Sequence, residues 1–383
     1  MDPLQAPKCV MIITGEASGD LHGSRLVRAM RKRSPALFFC GVGGKYLREA
    51  GVRILVEASA LSVVGFTEAF SKIPALLKGM AVVKRLLKSL RPDLLILIDF
   101  PDFNLHAAAV AKKLGIPVLY YISPQIWAWR SGRINKIKRL ADHVAVILPF
   151  ERELYAAQDI PVTFVGHPLL DHAPYSNRAE MDAAAPDSLL IGLLPGSRER
   201  EVLRHLPIML AAAQRLTRQL PALKFAVSLA PTVQRDLVDA IIHTHGGGIR
   251  PEIISTGVEQ VFRRCGFAIV ASGTVSLEAA IFGTPMIIIY RLSPLSYWLG
   301  RVLIHVRHIG LVNLIAGREV VPELIQDQAS PEQIAAKVAA MLNDTAGLDR
   351  LRNQMQAAVS ALGGPGASDR TAAVAMAMLD ETQ

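Results

Sequence analysis

Cysteine is scarce in this chain of 383 residues: Cys9, Cys40 and Cys265 are the only three, far apart and in no C-x-x-C pair. An odd, scattered set excludes a disulfide framework and thiolate metal sites and fits a reducing compartment. Aromatic residues make up only 6% and do not interleave with the basic clusters, which argues against a nucleic-acid platform. Charged residues reach 20% against 51% hydrophobic, so disorder is excluded and a large core must form. No apolar run approaches the ~18 residues of a membrane span. The opening MDPLQAPKCVMIIT lacks the basic, then apolar, then small-residue order of a secretory leader and passes directly into strand-like sequence.

The charge that is present is unevenly placed. Up to His172 there are 23 Lys and Arg against 14 Asp and Glu, whereas the remainder holds 19 of each. The whole net charge of +9 therefore sits in the first half and points to an anionic partner: nucleic acid, an anionic membrane face or a phosphorylated substrate.

Short Val/Ile/Leu-rich runs recur at 9–14, 37–42, 94–99, 118–122 and 143–148, separated by segments of helical period such as 21–33 and 103–115. The alternation starts again with runs at 189–196, 223–230, 252–256, 267–272 and 285–290. Continuous apolar strands between amphipathic helices predict parallel sheets covered on both faces. The expected fold class is α/β, with two Rossmann-like doubly wound domains in series and a ligand cleft at the carboxyl ends of their strands. A polar, strand-poor stretch at 167–187 marks the seam. The expected domains are 1–172, 173–350 and a helical tail at 351–383 that packs back on the first.

Four motifs carry candidate chemistry. In ITGEASGDLHG (13–23) a strand ends at Thr14 and Gly15 and Gly19 flank a turn into a helix, but the spacing is not G-x-G-x-x-G. Glu16 and Asp20 would repel a pyrophosphate, so acceptor contact or catalysis fits better, beside a plain helix cap. In IDFPDFN (98–104), Asp99 ends the most apolar strand, where desolvation raises a carboxyl toward a useful base; Asp102 reads equally well as a helix cap. No His or acid cluster with metal spacing lies near it. GLLPGSRERE (192–201) offers backbone N–H groups and Arg198 to phosphate oxygens without being a P-loop. ASGTVSLEAAIFGTP (271–285) ends a strand at Ser272-Gly273-Thr274, presents a helix N-terminus to a diphosphate, and places Glu278 one turn on for ribose hydroxyls. His167, His305 and His308 form no triad, and a structural or hinge role suits His167.

Along 71–92, Leu76, Met80, Val83, Leu87 and Leu90 form one stripe, with Lys78, Lys84, Arg85, Lys88 and Arg91 on the flank and opposite side. This is either a core helix with a solvated basic face or a helix lying in a membrane interface, with Leu76, Met80, Val83, Lys84, Arg85 and Lys88 facing the membrane. The greasy stretch 292–315, with Trp298, could assist.

Together with GVGG (41–44), VVGFTEAF (63–70), YYISPQIWAWR (120–130), LPFE (148–151), FVGHPLLD (164–171) and NLIAGREVVPELIQ (313–326), these motifs make the chain resemble the lipid-A-disaccharide synthases nearly end to end. The resemblance implies a GT-B glycosyltransferase that joins UDP-2,3-diacylglucosamine to 2,3-diacylglucosamine 1-phosphate (lipid X) with inversion, giving the β-1′,6 disaccharide and UDP. By motif, Asp99 would be the base. Gly196, Ser197, Arg198, Ser272, Gly273, Thr274, Glu278 and Asn313 would hold UDP, and Glu16, Ser18, Asp20, Gly65 and Glu68 would line the acceptor side. The resemblance further implies no metal or other cofactor and attachment to the anionic cytoplasmic face of the inner membrane, and leaves a homodimer open; the sparse aromatics predict no nucleic-acid partner. Rivals are a UDP-GlcNAc 2-epimerase or undecaprenyl-linked glycosyltransferase of the same fold, and a non-catalytic basic anion binder.

Overall fold

The structure is a computed structural model and describes residues 7–60, 66–127, 131–171, 186–293 and 307–381. It divides into two compact units, Met1–Asp171 with Gly363–Gln383, and His172–Leu362.

In the first unit the order is β1 (Cys9–Thr14), α1 (Ala17–Arg33), β2 (Phe38–Gly43), α2 (Lys45–Glu49), β3 (Arg53–Glu57), α3 (Phe66–Leu90), β4 (Leu94–Ile98), α4 (Pro101–Lys113), β5 (Val118–Tyr121), α5 (Ile134–Leu140), β6 (His143–Val146), α6 (Pro149–Ala156) and β7 (Val162–Phe164). The strands form one sheet in the order β3-β2-β1-β4-β5-β6-β7, every pair parallel. Strand alternation explains why the runs are apolar throughout. Met11, Ile13, Leu95 and Leu97 pack on one side with α3 and α4, while Val10, Ile12, Leu94 and Ile96 pack on the other with α1. Chain order reverses between β1 and β4, the place at whose carboxyl ends open α/β sheets bind ligands.

That second face is completed by the last helix, α14 (Ala367–Glu381), whose Ala372, Ala375 and Leu379 join Val10, Ile12 and Leu26 in one cluster. Its ends are tied by charge. The Asp171 carboxylate accepts from the N–H groups of Gly366 (2.6 Å), Ala367 (3.0 Å) and Ser368 (2.8 Å) and from the Ser368 hydroxyl (2.7 Å). At the other end Lys8 Nζ donates to the Leu379 carbonyl at 2.7 Å. An anion at the N-terminus and a cation near the C-terminus both suit the helix dipole.

The stripe of α3 is settled by the same need to cover the sheet. Val83 and Leu87 are fully buried, and Leu76 and Met80 pack against the same core, so Leu76, Met80 and Val83 do not face a membrane. Lys84, Arg85 and Lys88 are exposed, as is Leu77.

The second unit repeats the plan with β8 (Asp187–Leu194), α7 (Glu199–Gln219), β9 (Lys224–Ser228), α8 (Arg235–His245), β10 (Glu252–Ile254), α9 (Val258–Arg264), β11 (Cys265–Ala271), α10 (Thr274–Ile281), β12 (Met286–Tyr290), α11 (Leu311–Ala316), β13 (Glu323–Ile325), α12 (Pro331–Leu342) and α13 (Thr345–Ser360). Its parallel sheet runs β10-β9-β8-β11-β12-β13, and its reversal lies between β8 and β11. α13 packs on α10 and α11 and stays with this unit, so only the segment from Gly363 onward returns to the first.

Candidate functional site

Both reversals carry the motifs singled out in the sequence. In the first unit Asp99 follows β4 directly, with φ +50°, and Phe100 follows with φ +47°. Two consecutive non-glycine residues in the left-handed region are costly and persist only when their surroundings enforce them. Ile122, at the end of the adjacent β5, also has φ +55°, and its carbonyl accepts the Asp99 N–H at 3.2 Å. Strain is thus gathered at the carboxyl ends of two neighbouring strands. Burial raises the Asp99 carboxyl to about 6, the negative charge of Glu16 adds to this, and a hydrogen bond from the Phe100 backbone opposes it. Such a group is ionised near neutrality yet basic enough to take a proton.

Gly15 lies against the same turn. A Cβ there would fall 2.2 Å from Phe100 Cγ, so only glycine lets the β1–α1 loop approach the Phe100 ring. Glu16 is the exposed N-cap of α1, its side chain making no capping bond, and Ser18 is exposed in the first turn. Asp20 departs from expectation. It is 4% exposed, and its carboxylate accepts the N–H groups of Gly44 (2.6 Å) and Tyr46 (2.8 Å), capping α2 instead of facing a ligand. Gly65 lies outside the described residues, and Glu68 falls on α3 with its side chain likewise outside them. Asp102 pairs with the largely buried Arg133.

Two residues that sequence reasoning did not single out hold the Asp99 turn. The Asn104 amide donates to the carbonyls of Ile98 (3.2 Å) and Asp99 (2.6 Å), and the Tyr120 hydroxyl donates to the Asp99 carbonyl at 3.0 Å. The available signal was Asn104 in the same short motif, at the helix position that reaches back to the strand end. Glu151 was also missed: nearly fully buried, it accepts from Trp127 Nε1 (3.1 Å) and from the Leu148 N–H (3.1 Å), and burial raises it to about 7. His167 is buried and accepts the Leu169 N–H, and burial beside His22 pushes it down to about 3. It stays neutral near pH 7, as a structural residue would.

In the second unit, Gly196 (φ +120°), Ser197 and Arg198 follow β8 and lead into α7. The Glu201 carboxylate folds back on the Ser197 N–H at 3.1 Å, and Glu201 Oε1 accepts from Arg198 at 3.1 Å. The buried His205 ties this loop to β12, pairing with the Pro195 carbonyl (2.9 Å) and accepting the Arg291 N–H (3.1 Å). Across the reversal, Gly273 caps α10, and Gly273 and Thr274 are exposed at its N-terminus, with Glu278 half-buried one turn on. The Gly196–Arg198 loop thus already holds a carboxylate, that of Glu201, on the donors that suit phosphate oxygens, and the α10 N-terminus adds exposed backbone.

Ser272 and Asn313 sit differently. The Ser272 hydroxyl donates to the Ile309 carbonyl at 3.0 Å. Asn313 is fully buried: its oxygen accepts from Val320 and Val321, and its amide donates to the Val321 carbonyl and to Glu323. Its side-chain hydrogen-bonding capacity is spent within the loop, in contrast to the expected role of holding UDP. Ala128–Arg130, Trp298 and His305 lie outside the described residues. Among the described residues no helix is long and apolar enough to cross a membrane.

The first unit thus carries a carboxylate at a strand end, and the second carries two loops that each lead from a strand into a helix. Among solved structures the fold resembles a UDP-GlcNAc 2-epimerase from Neisseria meningitidis bound to UDP-GlcNAc, with TM-score 0.65 and 11% identity, covering 96% of this chain and 100% of that one. It also resembles MurG of Acinetobacter baumannii, with TM-score 0.59 and 15% identity, covering 97% and 100%. At such identities the likeness shows the fold alone: α/β with two Rossmann-like units, the GT-B class. Sequence relatives say more. The lipid-A-disaccharide synthase of Syntrophus aciditrophicus is 46% identical over 98% of this chain and 99% of its own. That of Geobacter metallireducens is 45% identical over 97% of both. The family model for lipid-A-disaccharide synthetase matches residues 10–378, so motifs, fold and relatives agree that the chain belongs to the lipid-A-disaccharide synthetase family.

Proposed function

We propose that the protein condenses UDP-2,3-diacylglucosamine with 2,3-diacylglucosamine 1-phosphate, giving the β-1′,6 disaccharide 1-phosphate and UDP. The acceptor 6-hydroxyl oxygen attacks the donor anomeric carbon as the bond to the diphosphate breaks. The hydroxyl proton passes to Asp99, and the electron pair leaves with UDP. A single in-line displacement inverts the α donor to a β product. The observation that carries this is the Asp99 carboxyl, held on a strained turn at a chain reversal and raised to about 6. Glu16 and Ser18 line the acceptor side. The Gly196–Arg198 loop and the α10 N-terminus hold the diphosphate, and their N–H groups and Arg198 offset the charge of the leaving group. Glu278 accepts the ribose hydroxyls. The acylated substrates are met at the cytoplasmic face of an anionic inner membrane, to which Lys84, Arg85 and Lys88 attract the first unit by charge.

The test is mass spectrometry of product from acylated UDP-glucosamine plus lipid X, with wild type and Asp99→Ala. Wild type should give disaccharide 1-phosphate, and Asp99→Ala should lose at least 10²-fold in turnover while keeping UDP affinity. Turnover surviving within about tenfold would place the base elsewhere. Epimerisation of UDP-GlcNAc alone by wild type would favour the epimerase alternative.

A further inference from the structure

Asp99 and Phe100 occupy the left-handed region without being glycine, so something must hold them there. Asn104 meets three successive carbonyls of this turn. Its side-chain amide donates to Ile98 (3.2 Å) and Asp99 (2.6 Å), and its backbone N–H donates to Phe100 (3.0 Å). It is fully buried, so these bonds form away from competing water. The Tyr120 hydroxyl, also buried, adds a second donor to the Asp99 carbonyl at 3.0 Å. Neither side chain donates to the Asp99 carboxyl; both hold its backbone. In an ordinary strand-to-helix turn the carbonyls of 98 and 99 would point elsewhere, and the carboxyl would leave with them.

The geometry points to Asn104, seconded by Tyr120, as a positioning residue for the transfer reaction: it fixes the backbone of Asp99 so that the carboxyl meets the acceptor hydroxyl. This rests on Asp99 being the base. The division of labour follows from chemistry. An amide is the side chain that donates twice from one planar group, and it carries no charge that would disturb a neighbouring carboxyl. Alanine at 104 removes both donors, frees the turn to relax toward common backbone angles, and shifts the carboxyl by an amount that proximity catalysis does not tolerate.

The experiment is a double-mutant cycle on the full chain with Asn104→Ala, Tyr120→Phe and Asp99→Asn, reading kcat, KM for both substrates, UDP affinity by calorimetry and thermal midpoint. Asn104→Ala should lower kcat about 10²-fold with UDP affinity unchanged. Tyr120→Phe deletes one hydroxyl and leaves the packed ring, and should lower kcat roughly fivefold with little change in midpoint. In the Asp99→Asn background both substitutions should have no further effect, because the group they position is already gone. Full losses persisting in that background would overturn the positioning role, as would wild-type kcat in Tyr120→Phe together with a folded Asn104→Ala. If Asn104→Ala fails to fold, Tyr120→Phe alone decides through the same cycle. An active Asp99→Asn would instead overturn the assignment of the base, an outcome separate from those on Asn104.

Discussion

Replacing Gly15 with alanine adds one methyl group, and the structure says where it must go. The new Cβ would lie 2.2, 2.5 and 2.7 Å from the Cγ, Cδ2 and Cβ atoms of Phe100. Carbon atoms rest about 3.5–4.0 Å apart, so the ring has to retreat by more than about 1 Å. It is not free to do so, since it stacks on Phe103 with centroids 5.1 Å apart. Cβ moves only with the backbone, and that backbone is the strained turn carrying Asp99. Overpacking of this sort costs about 1–3 kcal/mol of stability. A misplacement of about 1 Å at a catalytic group costs about 10²-fold in rate. Gly15→Ala should therefore remain folded, with a thermal midpoint lowered by several degrees, and should release UDP about 10²-fold more slowly at saturating substrates. UDP affinity should be unchanged, because the loops proposed to hold the nucleotide belong to the other unit. Wild-type kcat in a Gly15→Ala protein of unchanged midpoint would refute the link between this glycine, Phe100 and the base.

With Asp99 as the proposed base, raised to about 6, kcat/KM should rise with pH through about 6 and level off above; Glu16→Gln removes the like charge and should move that acid limb to lower pH. A limb that stays put would remove Glu16 from the electrostatics of the base. The four hydrogen bonds received by Asp171 hold its carboxyl below the usual range. Its stabilisation is therefore present above the unfolded carboxyl pKa of about 3.9 and is lost as pH falls through the folded value. Asp171→Ala should cost about 2 kcal/mol near pH 7, seen in denaturant melts, and the gap to wild type should close in acid. Serine at Lys84, Arg85 and Lys88 together should weaken binding to anionic vesicles on the order of 10²-fold without changing the midpoint, since the other side of the helix is in the core. Undiminished vesicle binding would locate the attachment elsewhere.

The inner strands were legible because both faces of each are buried, which forces an unbroken apolar run; β1 at Cys9–Thr14 matches the run read at 9–14. The strands missed were β3, β7 and β13, all at sheet edges and half-buried, such as RILVE and VTF, where a short mixed sequence suffices. Strand-end glycines and acids in the sequence fall where the structure has loops leaving the strands, but the motif does not tell what each side chain does. Asp20 and Asn313 are polar residues in the expected motifs whose bonds run inward, to Gly44 and Tyr46 and to Val320 and Val321. Composition cannot tell a polar side chain that faces a ligand from one that satisfies a buried backbone group. The stripe on α3 left a core and a membrane reading open for a related reason: an amphipathic period shows that one side must be covered, and the sheet covers it. The left-handed turn was not read from the sequence: aspartate tolerates such angles, but the phenylalanine that follows does not favour them.

The clamp of Asp171 on the last helix sets an order of events during synthesis. The first unit lacks one of its covering helices until residues 363–381 have left the ribosome, and by then residues 172–362 have already emerged. Throughout that interval the side of the sheet around Val10 and Ile12 awaits its Ala372, Ala375 and Leu379 partners. The usual sequence, in which the leading domain matures first, is thereby inverted in its final step, and a nascent chain stalled before Gly363 is a natural client for chaperones.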